Sequence, residues 1–152
     1  MGKYGVTDID KGWSGILREL KQADGMVVDV GVQAGETSED GQDMAMIAAY
    51  NEFGTDQIPE RAFTRRSFDE NLNELDSFMQ GALKRVVLRK LSASQALELT
   101  GQKMTGIIQR KIVDGPWTAN APVTIRRKGS DRPLIDTGRL RQSIRHIVRR
   151  KS

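Results

Sequence analysis

Apolar residues recur along this chain at two periods, and the switches between them divide it into elements. Ile9, Trp13, Ile16, Leu17 and Leu20 fall at i, i+4, i+7, i+8 and i+11, the stripe of an amphipathic helix. Asp8 or Asp10 is placed to cap its start, and Gly25 to end it. The period then drops to two. In MVVDVGVQ, Met26, Val28, Val30 and Val32 take one face and Asp29, Gly31 and Gln33 the other, which predicts a strand near 26–33. Residues 35–41, GETSEDG, are polar, acidic and glycine-bounded, and predict a mobile loop. A short helix follows across DMAMIAAYNEF, ended by Gly54.

From Thr64 to about Lys90, Phe68, Leu72, Leu75, Met79, Ala82, Leu83 and Val86 repeat at threes and fours. That pattern predicts one helix about 40 Å long at 1.5 Å per residue. Ser92 caps a second long helix that buries Leu97, Gly101, Met104, Ile108 and Ile112 and closes at Gly115. Gly101 and Gly106 inside it each cost about 1 kcal/mol relative to Ala, so they either permit close packing or mark weak points. The final SIRHIVRR suits a helix or a strand. A strand near 143–149 paired with 26–33 is preferred, because a lone strand leaves its backbone groups without partners. The predicted fold is α+β: a small antiparallel sheet packed with an N-terminal helix and two long helices, in a single domain spanning 1–152.

Two connections carry more shape-fixing residues than a solvated linker needs. Residues 51–63, NEFGTDQIPERAF, read as a shaped loop anchored by Phe53, Ile58 and Phe63, or as a plain helix–helix connection. Residues 116–133 form an extended arm, in which Pro116, Pro122 and Pro133 fix φ and Gly129 opens the left-handed region. Its length raises the expectation that Trp117, Arg126, Arg127 and Arg132 contact a neighbouring subunit or a connector. Asp136 and Thr137 are expected to cap a short turn at GRLRQS, with Gly138 where a side chain would crowd it.

Composition narrows the function classes. With 38% hydrophobic and 29% charged residues, the chain reads as a soluble globular domain and not as a disordered one. No apolar run approaches the roughly 20 residues of a membrane helix. MGKYGVTDIDKGW predicts neither a secretory signal nor an N-myristoylation site. The absence of cysteine removes disulfides, thiolate metal sites and thiol nucleophiles. His146, the single histidine, forms no multi-histidine site.

Charge is unevenly spread. Thr124–Ser152 holds ten basic and two acidic residues, a net +8, whereas the remainder holds 14 basic and 18 acidic residues, a net −4. Such a basic end seeks an acidic partner, either nucleic acid or an acidic protein face. Arg126, Arg127 and Lys128, with Arg145, Arg149, Arg150 and Lys151, are the expected phosphate-facing or partner-facing residues. The carboxylate groups Glu36/Glu39/Asp40, Glu70/Glu74 and Asp131/Asp136 read as solvated charges, not as a general acid and base. There is no GxSxG, no P-loop spacing and no metal-ligand spacing, so no enzyme, cofactor or metal is expected.

Two segments carry a family pattern. Glu52, Phe53, Gly54 and Thr55, then Ile58, Pro59, Arg61 and Phe63, form the first. Asn120, Pro122 and Thr124, then Lys128 and Gly129 with Ser130, then PLIDTGRL with Pro133, Leu134, Asp136, Thr137, Gly138 and Leu140, form the second. Together they resemble small tailed-bacteriophage neck or head–tail joining proteins, often labelled minor tail or tail-completion proteins. The resemblance spans roughly residues 26–148. It implies a structural virion protein of the neck, present in the host cytoplasm during assembly, that forms a homo-oligomeric ring of six or twelve copies around the DNA path. It implies a head–tail connector or portal-side partner, and a tail terminator, sheath or tube protein on the other side, with no membrane and no catalysis. A minor tail or tail-terminator component, or a basic nucleic-acid-binding accessory protein making non-specific DNA contacts, is the alternative. Within the motifs, Phe53 and Phe63 are expected to hold the Ile58–Pro59 bend, leaving Arg61 free to pair with a carboxylate.

Overall fold

The computed structural model describes residues 11–151, with the backbone alone for Lys128. In chain order the elements are α1 (Trp13–Ala23), β1 (Met26–Val32), α2 (Met44–Phe53), α3 (Phe63–Asp69), α4 (Leu72–Val87), α5 (Ala93–Asp114), α6 (Pro122–Lys128), α7 (Arg139–Ser143) and β2 (Ile144–Arg150). The architecture is α+β, as the two periods predict. Ile9 and the capping candidates Asp8 and Asp10 lie outside the described residues. The N-cap of α1 is Gly12, in the left-handed region at φ 102°.

α5 is the axis of the molecule. Ser92 Oγ accepts from Gln95 N at 3.1 Å while Gln95 Oε1 accepts from Ser92 N at 2.9 Å, so a capping box fixes where the helix starts. Ile108 and Ile112 are fully buried, and Met104 and Ile107 nearly so. One side of α5 meets α4, α3 and α1, and another meets both strands. The strands pair antiparallel from Met26↔Arg150 to Val32↔Ile144. Gly101 is the point of closest approach between α5 and the sheet. A Cβ there would lie 2.6 Å from the His146 ring and 2.7 Å from Val28. Gly106 has nothing within 4 Å, so close packing applies to the first glycine only.

The predicted 40 Å helix is two helices. Its apolar positions run on in register, but Asn71 leaves the helical region at φ −118°, ψ 15°. The Asn71 side chain donates to Ser67 O at 2.8 Å, a local bond that competes with helix continuation. The predicted apolar stripe is also only partly buried. Leu75, Ala82 and Val86 are covered, whereas Phe68, Leu72, Met79 and Leu83 are 47–53% exposed.

Three further expectations change. The 116–133 arm is not extended throughout: α6 starts with Pro122 in its first turn, where a missing N–H costs nothing, and ends at Gly129 with φ 67°. Neither Asp136 nor Thr137 caps α7. Gly138 holds the N-cap at φ 81°, and a Cβ there would meet only Gln142 Nε2 at 3.7 Å. Gly138 therefore answers a backbone conformation and not crowding. The 35–41 loop is closed by a Thr37↔Asp43 bridge, with Ser38 N donating to Gln42 O at 2.8 Å.

Candidate functional site

The two motif segments meet at Arg61. This residue follows the Thr55–Ile58 turn, in which Thr55 N donates to Ile58 O at 2.8 Å and Thr55 Oγ1 accepts from Ile58 N at 3.0 Å. Gly54 makes room for that turn, since a Cβ would lie 3.0 Å from Glu60 N and 3.2 Å from Ile58 O. Arg61 N then donates to Asn51 O at 2.7 Å, turning the side chain inward. Its guanidinium is 4% exposed as part of the residue and spreads its donors over four neutral oxygens. Nε donates to Thr118 O at 2.9 Å and Nη1 to Asn51 Oδ1 at 3.1 Å. Nη2 donates to Ala119 O at 3.3 Å and Asn120 Oδ1 at 3.1 Å. Asn120 Nδ2 extends the network by donating to Arg132 O at 3.3 Å.

The expected Arg61–carboxylate pair is thus replaced by a clasp of carbonyl and amide oxygens. Burial pushes the Arg61 guanidinium below its ordinary range. The carboxylate of the motif, Glu52, is spent elsewhere. It is 7% exposed, with Oε2 accepting from Thr64 N at 2.8 Å and Oε1 from Arg65 N at 2.9 Å. Glu52 therefore supplies the N-terminal cap that Ala62 lacks, and its charge suits the positive end of α3. Arg65 closes the group by donating to Glu60 at 2.6 Å and to Glu52 at 3.3 Å. These bonds, Glu60 first, raise its pKa above the ordinary value.

The aromatic expectations divide. Phe63 is 1% exposed and anchors the core, whereas Phe53 is 68% exposed, with the Arg65 guanidinium 5.4 Å from its ring centre. Trp117 is no free contact residue. Its Nε1 donates to Ile112 O at 3.2 Å, and its ring folds over Gly115 where a Cβ would collide. Arg66 stacks 5.8 Å from that ring. In the PLIDTG segment Leu134 and Leu140 both join the core, and Leu134 does so with φ at 60°, a conformation rare for a branched side chain.

The basic end is partly neutralised from within. Arg149 donates to Asp29 at 2.5 Å, Arg145 pairs with Glu36 at 3.1 Å, and Arg139 lies 3.7 Å from Glu39. The acidic loop thus pairs with β2 through Glu36 and with α7 through Glu39, while Asp29 and Arg149 pair across the two strands. Arg126, Arg127, Arg141, Arg150 and Lys151 have no carboxylate partner among the described residues. Glu70 and Glu74, expected as a wet face, are exposed and in addition bridge to Lys111 and Lys103 of α5, respectively.

His146 lies between Glu98, 2.9 Å from Nε2, and Thr105 Oγ1, 3.4 Å from Nδ1. The order matches a triad, but the hydroxyl sits within the α5–sheet contact and neither groove beside α1 is lined by these residues. Its evident work is to tie β2 to α5. Among the described residues no cluster of three or more His, Asp or Glu is placed to hold a metal, and no helix is long and apolar enough to cross a membrane.

No family model, curated protein or solved structure matches this chain. The Arg61 clasp escaped sequence reasoning because three of its partners belong to a segment 57–59 residues away and two of those are backbone carbonyls. The one visible signal was the coincidence of Arg61 and Asn120 in two loops dense with proline and glycine.

Proposed function

We propose that this chain is a structural protein of the junction between a DNA-filled phage head and its tail, working by assembly and not by catalysis. The observation that carries the reading is the convergence of the two family-like segments on Arg61. Residues far apart in sequence that resemble one family's motifs serve here to fix the relative position of a loop and an arm. That role fits a surface built for docking. The partners are further copies in a ring, a connector on the head side, and a tail terminator, sheath or tube protein on the tail side. The place of action is the virion neck, reached from the host cytoplasm during assembly. Negative-stain images of particles made without this chain test the reading. Full heads beside detached, finished tails are expected, and normally joined particles would overturn it.

A second reading, a nucleic-acid-binding accessory protein, is favoured by Arg126, Arg127, Arg150 and Lys151, which have no carboxylate partner among the described residues. It requires the isolated chain to bind duplex DNA with an affinity that falls steeply with salt, and Arg150→Ala with Lys151→Ala to lower the slope by about two. Fluorescence anisotropy across a salt series decides it.

A further inference from the structure

We infer that the open flank of α4 is a two-fold contact between antiparallel copies of this chain. Leu72, Met79, Leu83 and Val87 are 47%, 51%, 53% and 42% exposed. At 3.6 residues per turn they fall within one sector of about 80°, directly beside the sector of Leu75, Ala82 and Val86 that α5 covers. The open sector of α4 is thus about twice as wide as the sector the molecule itself covers.

Charge says what covers the rest. On α4 itself, Asp76 lies within the N-terminal half of the flank and Lys84 beside its C-terminal half. Both are exposed, and neither is in an ion pair among the described residues. Asp76 is held in place by Gln80, whose Nε2 donates to Oδ2 at 2.7 Å. A second α4 laid antiparallel, with the two-fold axis between Met79 and Gln80, sets Leu72 against Val87 of the other copy. The same register sets Asp76 near its Lys84. Laid parallel, the helices would instead oppose aspartate to aspartate and lysine to lysine. The flank is complementary to itself in one direction only, the condition for an isologous contact.

The α4 helix is only about 24 Å long, and a lasting interface needs roughly 1,200–2,000 Å² in total. The dimer is therefore expected to depend on concentration. This inference does not rest on the head–tail reading and is measured on isolated protein, so either can fail alone.

The chain contains no cysteine, which makes cross-linking a clean test. After mild oxidation, Met79→Cys should give a covalent dimer by itself. Leu72→Cys should not, but should do so when mixed with Val87→Cys. Sedimentation velocity supplies an independent arm: Asp76→Lys and Lys84→Asp should each weaken dimerisation about tenfold or more, and the double exchange should restore it. Circular dichroism melting verifies that each variant folds. A chain monomeric at every concentration, a covalent dimer from Leu72→Cys alone, or a double exchange no better than the singles would overturn the inference.

Discussion

Arg61 brings a positive charge into the interior with no carboxylate to meet it. Neutral oxygens satisfy its fork, and each of them would lose its donor if the side chain were cut back. A buried acceptor left bare costs about 1–3 kcal/mol. Arg61→Ala is therefore expected to destabilise the fold by about 3 kcal/mol in urea unfolding, since water can re-enter to satisfy some of the group. Arg61→Lys should recover only part of that loss, because an ammonium cannot span four acceptors set for a planar guanidinium. Leu134 shows a related exchange at a single residue. Its left-handed backbone costs about 1–2 kcal/mol, offset by a side chain that is 8% exposed in the core.

Among the elements, the approach of α5 to the sheet is the tightest joint. Gly101→Ala should push His146 and Val28 away and cost about 2 kcal/mol. Gly106→Ala, in open space five residues along the same helix, should stabilise by about 0.5–1 kcal/mol. Opposite shifts in thermal midpoint would confirm that one glycine serves packing and the other does not. Between α4 and α5, the bond to Lys103 holds the Glu74 carboxyl below its ordinary value of 4.5. A depressed carboxyl stabilises the fold above that value and loses its effect as pH falls through the lowered one. Acid unfolding monitored by circular dichroism should therefore show a shallower pH dependence for Glu74→Gln than for the parent. These elements were largely legible beforehand. The strand at 26–32, the Ser92 cap and the buried side of α5 follow from local period and capping chemistry. The break at Asn71 was not, because the apolar spacing continues through it and only the backbone departs. Nor was α6, whose PVTIRRK has too few apolar positions to show a period, although Pro122 marks a start.

For the molecule as a whole, basic residues divide between those neutralised from within and those without a carboxylate partner among the described residues. Arg126 and Arg127 lie on α6, beyond the clasp, with no carboxylate partner among the described residues. Reversing both to Glu is expected to leave the melting temperature within a few degrees, since exposed substitutions stay within about ±0.5 kcal/mol. Under the proposed head–tail role, counting joined particles in a complementation assay should nevertheless show a marked fall in joining. Deleting residues 118–131 would be a poorer experiment, because it removes the Arg61 acceptors along with the arm. What the sequence could not disclose at this scale is which faces stay open. Apolar stripes on α1 and α4 were visible, but their coverage depends on how few elements the chain has to lay over them. The clasp also has a temporal meaning. Its donor is synthesised 57 residues before its first carbonyl partner, so a nascent or truncated chain has no means of closing it. In native-state hydrogen exchange the amides of α3 to α5 should open together, at one free energy, once Arg61 is removed. Arg61 in effect satisfies its full set of donors only in molecules in which residues 118–120 have been made and folded back on the first half.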